Sequence, residues 1–354
     1  MIVKINNQLW NDIVQRLNKN MHDIFFEPKY FEIFQSSGYG EAEAYLNNIN
    51  NNFFFIPYLK NKINENFTNK ETFYDIQSPY GYSGFLTNSK STIFIDNSIR
   101  NFIDLCKNEN VICSFIRSNP LSQKLKPIYV LNKHFKIEMN RKIIVLNLKQ
   151  SIKDIWNKEF NSNCRNMVRK SLDKYSYKIS NSKNSYKLLI KFYLQNMKDI
   201  KADKFYFFNK NFFDKFYINL NKDFFIVEAI NKNNETISSI LVLFSRNYAH
   251  YMFSSRNKQF SDNSVINSLL FMAIKELKKR KISIFNLGGG TTNSYNDNLF
   301  KFKSNFSKNN IDYTIATKIF LPDRYTDICN NWKKKYHNLE KKHSNKILKY
   351  QFYE

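Results

Sequence analysis

Seven glycines serve a chain of 354 residues, and three of them stand together in ISIFNLGGGTTNSYNDNLFKFKSNF, residues 282–306. The other four fall in two short stretches, SGYG at 37–40 and YGYSG at 80–84. Glycine alone adopts positive φ cheaply and admits another group against its backbone. A chain this poor in glycine therefore marks the few places where the backbone must turn hard or be approached closely. The triplet follows the apolar run ISIFNL and precedes a helical pattern, so it reads as a strand–turn–helix junction. It lacks both a following Gly-Lys-Ser/Thr and the G-x-G-x-x-G spacing, which argues against a nucleotide cradle.

A hydrophobic content of 42% with 17% aromatic residues belongs to a folded protein with room for two cores. No apolar run reaches the ~18 residues needed to span a bilayer. The start, MIVKINNQLWND, has no signal-peptide h-region, so the expected location is cytoplasmic, with the inner face of the membrane as a surface to rest on. Four cysteines without a C-x-x-C pair and only five histidines argue against a disulfide framework or a metal site.

The formal charge is +25, carried by 45 lysines and ten arginines. A basic surface gathers phosphate. The abundance of Lys, Asn, Ile, Phe and Tyr is equally the mark of an AT-rich coding sequence, and both readings stand.

The first half opens with amphipathic NDIVQRLNKN and with PKYFEIFQSSGYG, a helix begun by proline and ended by glycine. AEAYLNN and NNFFFIPYL read as strands joined by an Asn-rich turn. ETFYDIQSPYGYSGFL reads as an irregular packed loop, SIRNFIDLCKNEN as a helix, and VICSFIR and RKIIVLNL as strands. In the second half, Ile152, Trp156, Phe160, Cys164, Val168 and Leu172 recur every four residues on a helix or helix pair. A strand, two helices, a three-strand meander (DFFIVEAIN, ETISSILVLFS, NYAHYMFSS), a helix capped by Asp262 or Asn263, the strand ISIFNL, a short helix and the strand DYTIATKIF follow. A basic helix over 325–349 closes the chain.

This order resembles the GNAT acyltransferase fold, and the first half reads as a looser copy of it. The resemblance sharpens at Leu287-Gly288-Gly289-Gly290 followed by Asp297, Leu299, Phe302, Lys303 and Phe306, which is similar to the FemAB-like branch of that superfamily. WNKEFNSNCRNMVRKSLDK and the loop YDIQSPYGYSGFL also resemble segments of that branch. The implied class is α/β (α+β): two tandem GNAT-like domains, each a mixed, mostly antiparallel sheet with helices on both faces. The expected domains are 1–148, 149–322 as the catalytic one, and a basic helix over 323–354. The implied chemistry is acyl transfer to an amine, with acyl-CoA or aminoacyl-tRNA as co-substrate and no tightly bound cofactor. Members that build peptidoglycan cross-bridges often carry a long helical hairpin arm, and no segment here is long enough for one, which weighs against aminoacyl-tRNA as the donor.

Acyl transfer needs donors aimed at a developing oxyanion. The N–H groups of Gly288, Gly289 and Gly290 could supply them, or the glycines could simply let the next helix pack closely. Lys303 could stabilise the oxyanion or bind a substrate phosphate, or be one solvated lysine among many. Asp297 could orient Lys303 or cap the helix. Arg165 and Arg169, four apart with Asn166 between, could clamp a phosphate or carboxylate. Glu228, a carboxylate within an apolar strand, and His250, between aromatic residues, are the candidate bases, each with a strand-edge or core alternative. Tyr80 and Tyr82 could line a substrate cleft or pack their own loop. Where acyl-CoA enzymes of the fold carry a glycine loop for the pyrophosphate, this chain has SSRNKQFSDNS, leaving Arg256, Lys258 and a helix N-terminus. The leading expectation is an N-acyltransferase acting on an amino group of a cell-envelope precursor such as an amino sugar, polysaccharide or peptidoglycan intermediate. tRNA and the inner membrane surface are further candidate partners, and DNA is not. The alternative is a non-catalytic protein of the same fold that binds RNA or a membrane surface through its charge.

Overall fold

The computed structural model describes residues 1–122, 128–260, 262 and 264–353. The chain divides into two compact units, one built from 1–21, 25–140 and 313 onward, the other from 22–24 and 141–312.

In the first unit come β1 (Ile2–Lys4), α1 (Gln8–Arg16), α2 (Pro28–Ser36), β2 (Glu41–Ile49), β3 (Asn52–Lys62), β4 (Tyr74–Gln77), β5 (Leu86–Thr87), α3 (Thr92–Asn108) and β6 (Val111–Arg117). Asn50 and Asn51, both at positive φ, make the two-residue turn that pairs Ile49 with Asn52. Apolar β3 is buried along most of its length. Its aromatic and branched residues pack with Ile76, Ile99, Phe102 and Ile116. The stretch 74–87 is the packed, irregular segment its composition suggests, with a short strand at each end.

β7 (Lys136–Asn147) leads into the second unit, which holds α4 (Ser162–Leu172), β8 (Ser176–Ser180), α5 (Lys183–Asp199), α6 (Lys210–Leu220), β9 (Phe224–Ile230), β10 (Thr236–Ser245), β11 (Tyr248–Arg256), α7 (Val265–Lys279), β12 (Ile284–Gly289) and α8 (Asn298–Ser304). Its strands lie in the order β7-β12-β11-β10-β9-β8. All neighbours are antiparallel except β11 and β12, which run parallel around the crossover helix α7. Leu146, Val168, Val227, Ile240, Leu270, Phe285 and Phe306 are buried in one apolar cluster. The four-residue stripe from Ile152 is a helix pair: a π-helical turn at Ile155–Glu159 ends at extended Phe160, and Asn161 caps α4. Ser264, rather than Asp262, precedes the first residue of α7, and Asn263 lies outside the described residues.

β13 (Asn310–Ile319) brings the chain back to the first unit, where Ile315–Ile319 pair with β6. α9 (Pro322–Lys335) buries Ile328 and Trp332 against Ile63, Phe67 and Ile112. A second helix, His337–His343, follows a break at Tyr336, so the closing basic segment is not one helix. Among the described residues no helix is long and apolar enough to cross a membrane.

Candidate active site

β12 is where the second unit's sheet opens. It pairs with β11 only from Tyr248↔Ile284 to His250↔Asn286. On its other side the register to β7 slips between Asn286 and Gly288, which leaves Leu287 as the extra residue of a bulge. Gly288 then takes φ +77°, a conformation that glycine supplies cheaply.

Lys303 reaches this turn from α8. Its Nζ donates to the Gly289 carbonyl at 2.8 Å and lies 5.8 Å from the centre of the Tyr251 ring on β11. The side chain is buried, with 8% of its surface exposed. Burial, reinforced by the positive charge of Arg141, pushes the Lys303 ammonium down to about 7, with Asp297 opposing the shift. Arg141, on β7, donates Nη1 to the Gly290 carbonyl at 2.6 Å. Two cations thus hold two successive carbonyls of the glycine turn.

Asp297 is the N-cap of α8, accepting from the Phe300 N–H at 2.9 Å. Its second oxygen takes the N–H groups of Thr291 and Thr292 at 2.9 and 3.0 Å. The Thr291 hydroxyl also donates to it, and these bonds hold its carboxyl well below the usual carboxylate range. One carboxylate therefore ties the polar loop to the helix that carries Lys303.

The glycines do not all present free N–H donors. The Gly288 N–H is taken by Asn286 Oδ1 at 2.8 Å, while Gly289 and Gly290 turn carbonyls toward Lys303 and Arg141. A Cβ on Gly289 would fall 2.6 Å from the Lys142 carbonyl, and one on Gly290 would fall 2.4 Å from Asp297 Oδ1. Close packing accounts for both glycines, and the electropositive groups at the turn are the Lys303 ammonium and the Arg141 guanidinium.

The segment around Trp156 meets the end of α8. Asn161 takes the Asn305 carbonyl at 3.0 Å, and the rings of Phe160 and Phe306 meet edge to face. Arg165 and Arg169 form no clamp there. Arg165 donates to the carbonyls of Trp156 and Phe160, while Arg169 lies over the Trp156 ring and donates to Asn166 Oδ1 at 3.1 Å.

Glu228 does not reach this site. It lies on β9, three strand spacings or about 14 Å from β12. Ser185 and Thr236 donate to it and Lys178 lies 3.6 Å away, so it is a structural carboxylate near the sheet edge. Tyr80 and Tyr82 belong to the first unit. There Tyr80 offers its carbonyl to the Tyr30 hydroxyl, and Tyr82 packs edge-on against Phe25 and Tyr313.

At the β11–α7 junction the Arg256 backbone is bound at both its N–H and its carbonyl by Asn196, and Lys258 is paired with Asp199 at 2.5 Å. Asp262 places a carboxylate beside the N-terminus of α7. Against the cost of burial, hydrogen bonds from Ser264, Lys174 and Tyr175 hold that carboxyl far below the usual range. A fixed anion of this kind weakens the helix end as a seat for a pyrophosphate.

Sequence reasoning missed Arg141 and Asn286. Arg141 has no distinguishing neighbour in NRKIIVLNL, and only the β7–β12 register brings it to Gly290. Asn286 did carry a signal, an amide within an otherwise apolar strand two residues before the first glycine.

The class that the fold defines is the GNAT acyltransferase fold. Residues 162–303, which run from the start of α4 to Lys303 itself, match the family model described as "Acetyltransferase (GNAT) domain". The resemblance to the FemAB-like branch holds in three dimensions. The structure is similar to that of FemX, at a TM-score of 0.69 and 12% identity, over 92% of this chain and 99% of FemX. It is also similar to the C-terminal domain of a protein described as a lysylphosphatidylglycerol synthetase from Agrobacterium fabrum (TM-score 0.54, 9% identity, 88% of this chain and 90% of that one). L-PGS from Bacillus licheniformis is a third such structure, with a TM-score of 0.51 and 11% identity over 78% of this chain and 86% of that one. No curated protein matches the chain by sequence.

Proposed function

We propose that the protein is an N-acyltransferase that delivers an aminoacyl group from an aminoacyl-tRNA ester to an amino group of a cell-envelope precursor of the amino sugar or peptidoglycan class. The observation that carries this reading is the buried Lys303 ammonium, anchored on the Gly289 carbonyl where β11 and β12 part. In the reaction the acceptor nitrogen attacks the ester carbonyl. The C–N bond forms as the ester C–O bond breaks, and the proton lost by the amine ends on the leaving hydroxyl. Lys303 supplies positive charge for the oxyanion that develops in between. That charge grows more favourable as the oxyanion forms, since a nearby anion raises an ammonium pKa. The anion already fixed at the α7 N-terminus favours a donor other than CoA. The names of FemX and of a lysylphosphatidylglycerol synthetase among the similar structures are in keeping with envelope work, and the basic charge suits an RNA carrier.

The experiment offers the purified protein a mixture of charged tRNAs or acetyl-CoA with amino-sugar and peptidoglycan precursors, and follows acceptor mass. A product with charged tRNA that falls by about 100-fold in Lys303→Ala is expected, in line with loss of one oxyanion donor. Product from acetyl-CoA alone overturns the donor assignment. Turnover unchanged in Lys303→Ala overturns the site.

A further inference from the structure

One buried chain of hydrogen bonds ends at the glycine turn; the reaction above does not use it, and His250, a candidate base from the sequence, is its middle member. Asp23 belongs to the short segment 22–24 that packs within the second unit. Its carboxylate lies 3.0 and 3.1 Å from His250 Nε2. His250 Nδ1 lies 3.3 Å from Asn286 Nδ2, and Asn286 Oδ1 accepts the Gly288 N–H at 2.8 Å. Asp23, His250 and Asn286 are 0%, 3% and 2% exposed.

Each link leaves one choice of donor. Asp23 accepts, so His250 carries its proton on Nε2 and offers a lone pair on Nδ1. That lone pair takes an N–H of Asn286, which turns the amide oxygen toward Gly288. If His250 carried its proton on Nδ1, Asn286 would have to turn over and face its NH2 against the Gly288 N–H. That last bond spans the bulge at Leu287 and ends on Gly288 at its positive φ, and the carbonyl of the following residue, Gly289, is the one that holds Lys303.

We propose that Asp23, His250 and Asn286 form a positioning relay that sets the glycine turn and, through the Gly289 carbonyl, the place of the Lys303 ammonium. Its bearing on turnover rests on the acyltransferase reading above; its bearing on the turn does not.

The test uses the full chain labelled with [15N]glycine, which gives at most seven amide signals. Asp23→Asn removes the charge and offers His250 an N–H, which favours the wrong tautomer, much as loss of the aspartate does in a serine-protease triad. The signals of Gly288, Gly289 and Gly290 are expected to move while those of Gly38, Gly40, Gly81 and Gly84 stay. kcat is expected to fall about 10- to 100-fold with KM little changed, as for a displaced catalytic group. If Asp23→Asn does not fold, His250→Gln keeps an N–H toward Asp23, deletes the Nδ1 acceptor, and is judged by the same signals. Unmoved triplet signals, or moved signals with kcat unchanged, overturn the relay as a positioning device. A wild-type protein without turnover overturns the proposed function instead, and the glycine signals then decide the relay alone.

Discussion

Lys303 exchanges the hydration of its ammonium for one backbone carbonyl and the neighbourhood of the Tyr251 ring, and burial brings its pKa down to about 7. In the unfolded chain the same group titrates near 10.4. Below pH 7 both states bind the proton, and the fold bears the full cost of a buried charge. Between about 7 and 10.4 only the unfolded state keeps it, so stability rises with pH in that window. Lys303→Met is therefore expected to unfold at higher urea than the wild type at pH 6, by up to about 4 kcal/mol, with the gain fading by about pH 10. A gain equal at both pH values would show that Lys303 is not buried as a titrating group. On the proposed reaction the same residue would set the alkaline limb of activity. As an ammonium it should lose kcat/KM above about pH 7, and Lys303→Arg, which stays charged, should keep part of the activity and move that limb beyond pH 9. A proton-accepting lysine would instead leave Lys303→Arg inactive at every pH.

The turn and α8 act together as one element, because Asp297 caps the helix and gathers the loop while Gly289 and Gly290 let both approach. Gly289 is the more demanding position. An added Cβ would meet the Lys142 carbonyl, which is backbone of the neighbouring strand and cannot swing aside. Gly289→Ala is expected to cost about 1–3 kcal/mol in urea unfolding. A change below about 0.5 kcal/mol, the usual size for an uncrowded surface site, would mean that β7 and β12 are not this close. The glycine run, the strand before it and the helix after it were legible in the sequence because each has a local signature: composition, apolar run and spacing. What the glycines do was not, since carbonyl and N–H directions depend on the Leu287 bulge. Glu228 misled for a related reason. An acid in an apolar strand looks the same whether it sits beside a reacting centre or, as here, near the far edge of the sheet under Ser185.

At the scale of the chain, the order of elements from α4 to α8 was legible, whereas the place of β7 in the second unit and the return of residues 313 onward to the first were not, because long-range pairing leaves no local mark. That return is secured in part by a buried carboxylate. Asp75, on β4, accepts from the Tyr350 hydroxyl at 3.1 Å and from Gln351 Nε2 at 3.0 and 3.1 Å, with Asn61 Nδ2 at 3.3 Å. Burial outweighs these bonds and raises its pKa from 3.8 to about 6. A raised carboxyl pKa means that the folded state holds the proton more tightly than the unfolded one. The resulting stability is complete below about pH 4 and is lost as the pH rises through about 6, to a total of about 3 kcal/mol. Asp75→Asn stays neutral throughout and lacks this dependence. The difference in unfolding free energy between wild type and Asp75→Asn should therefore move against the wild type between pH 5 and 7.5. Urea titrations followed by tryptophan fluorescence would detect it, since Trp332 lies on α9 in the same apolar cluster as Tyr350. A difference that holds constant across that interval would mean that water reaches Asp75, and that the closing segment is held by its apolar contacts alone.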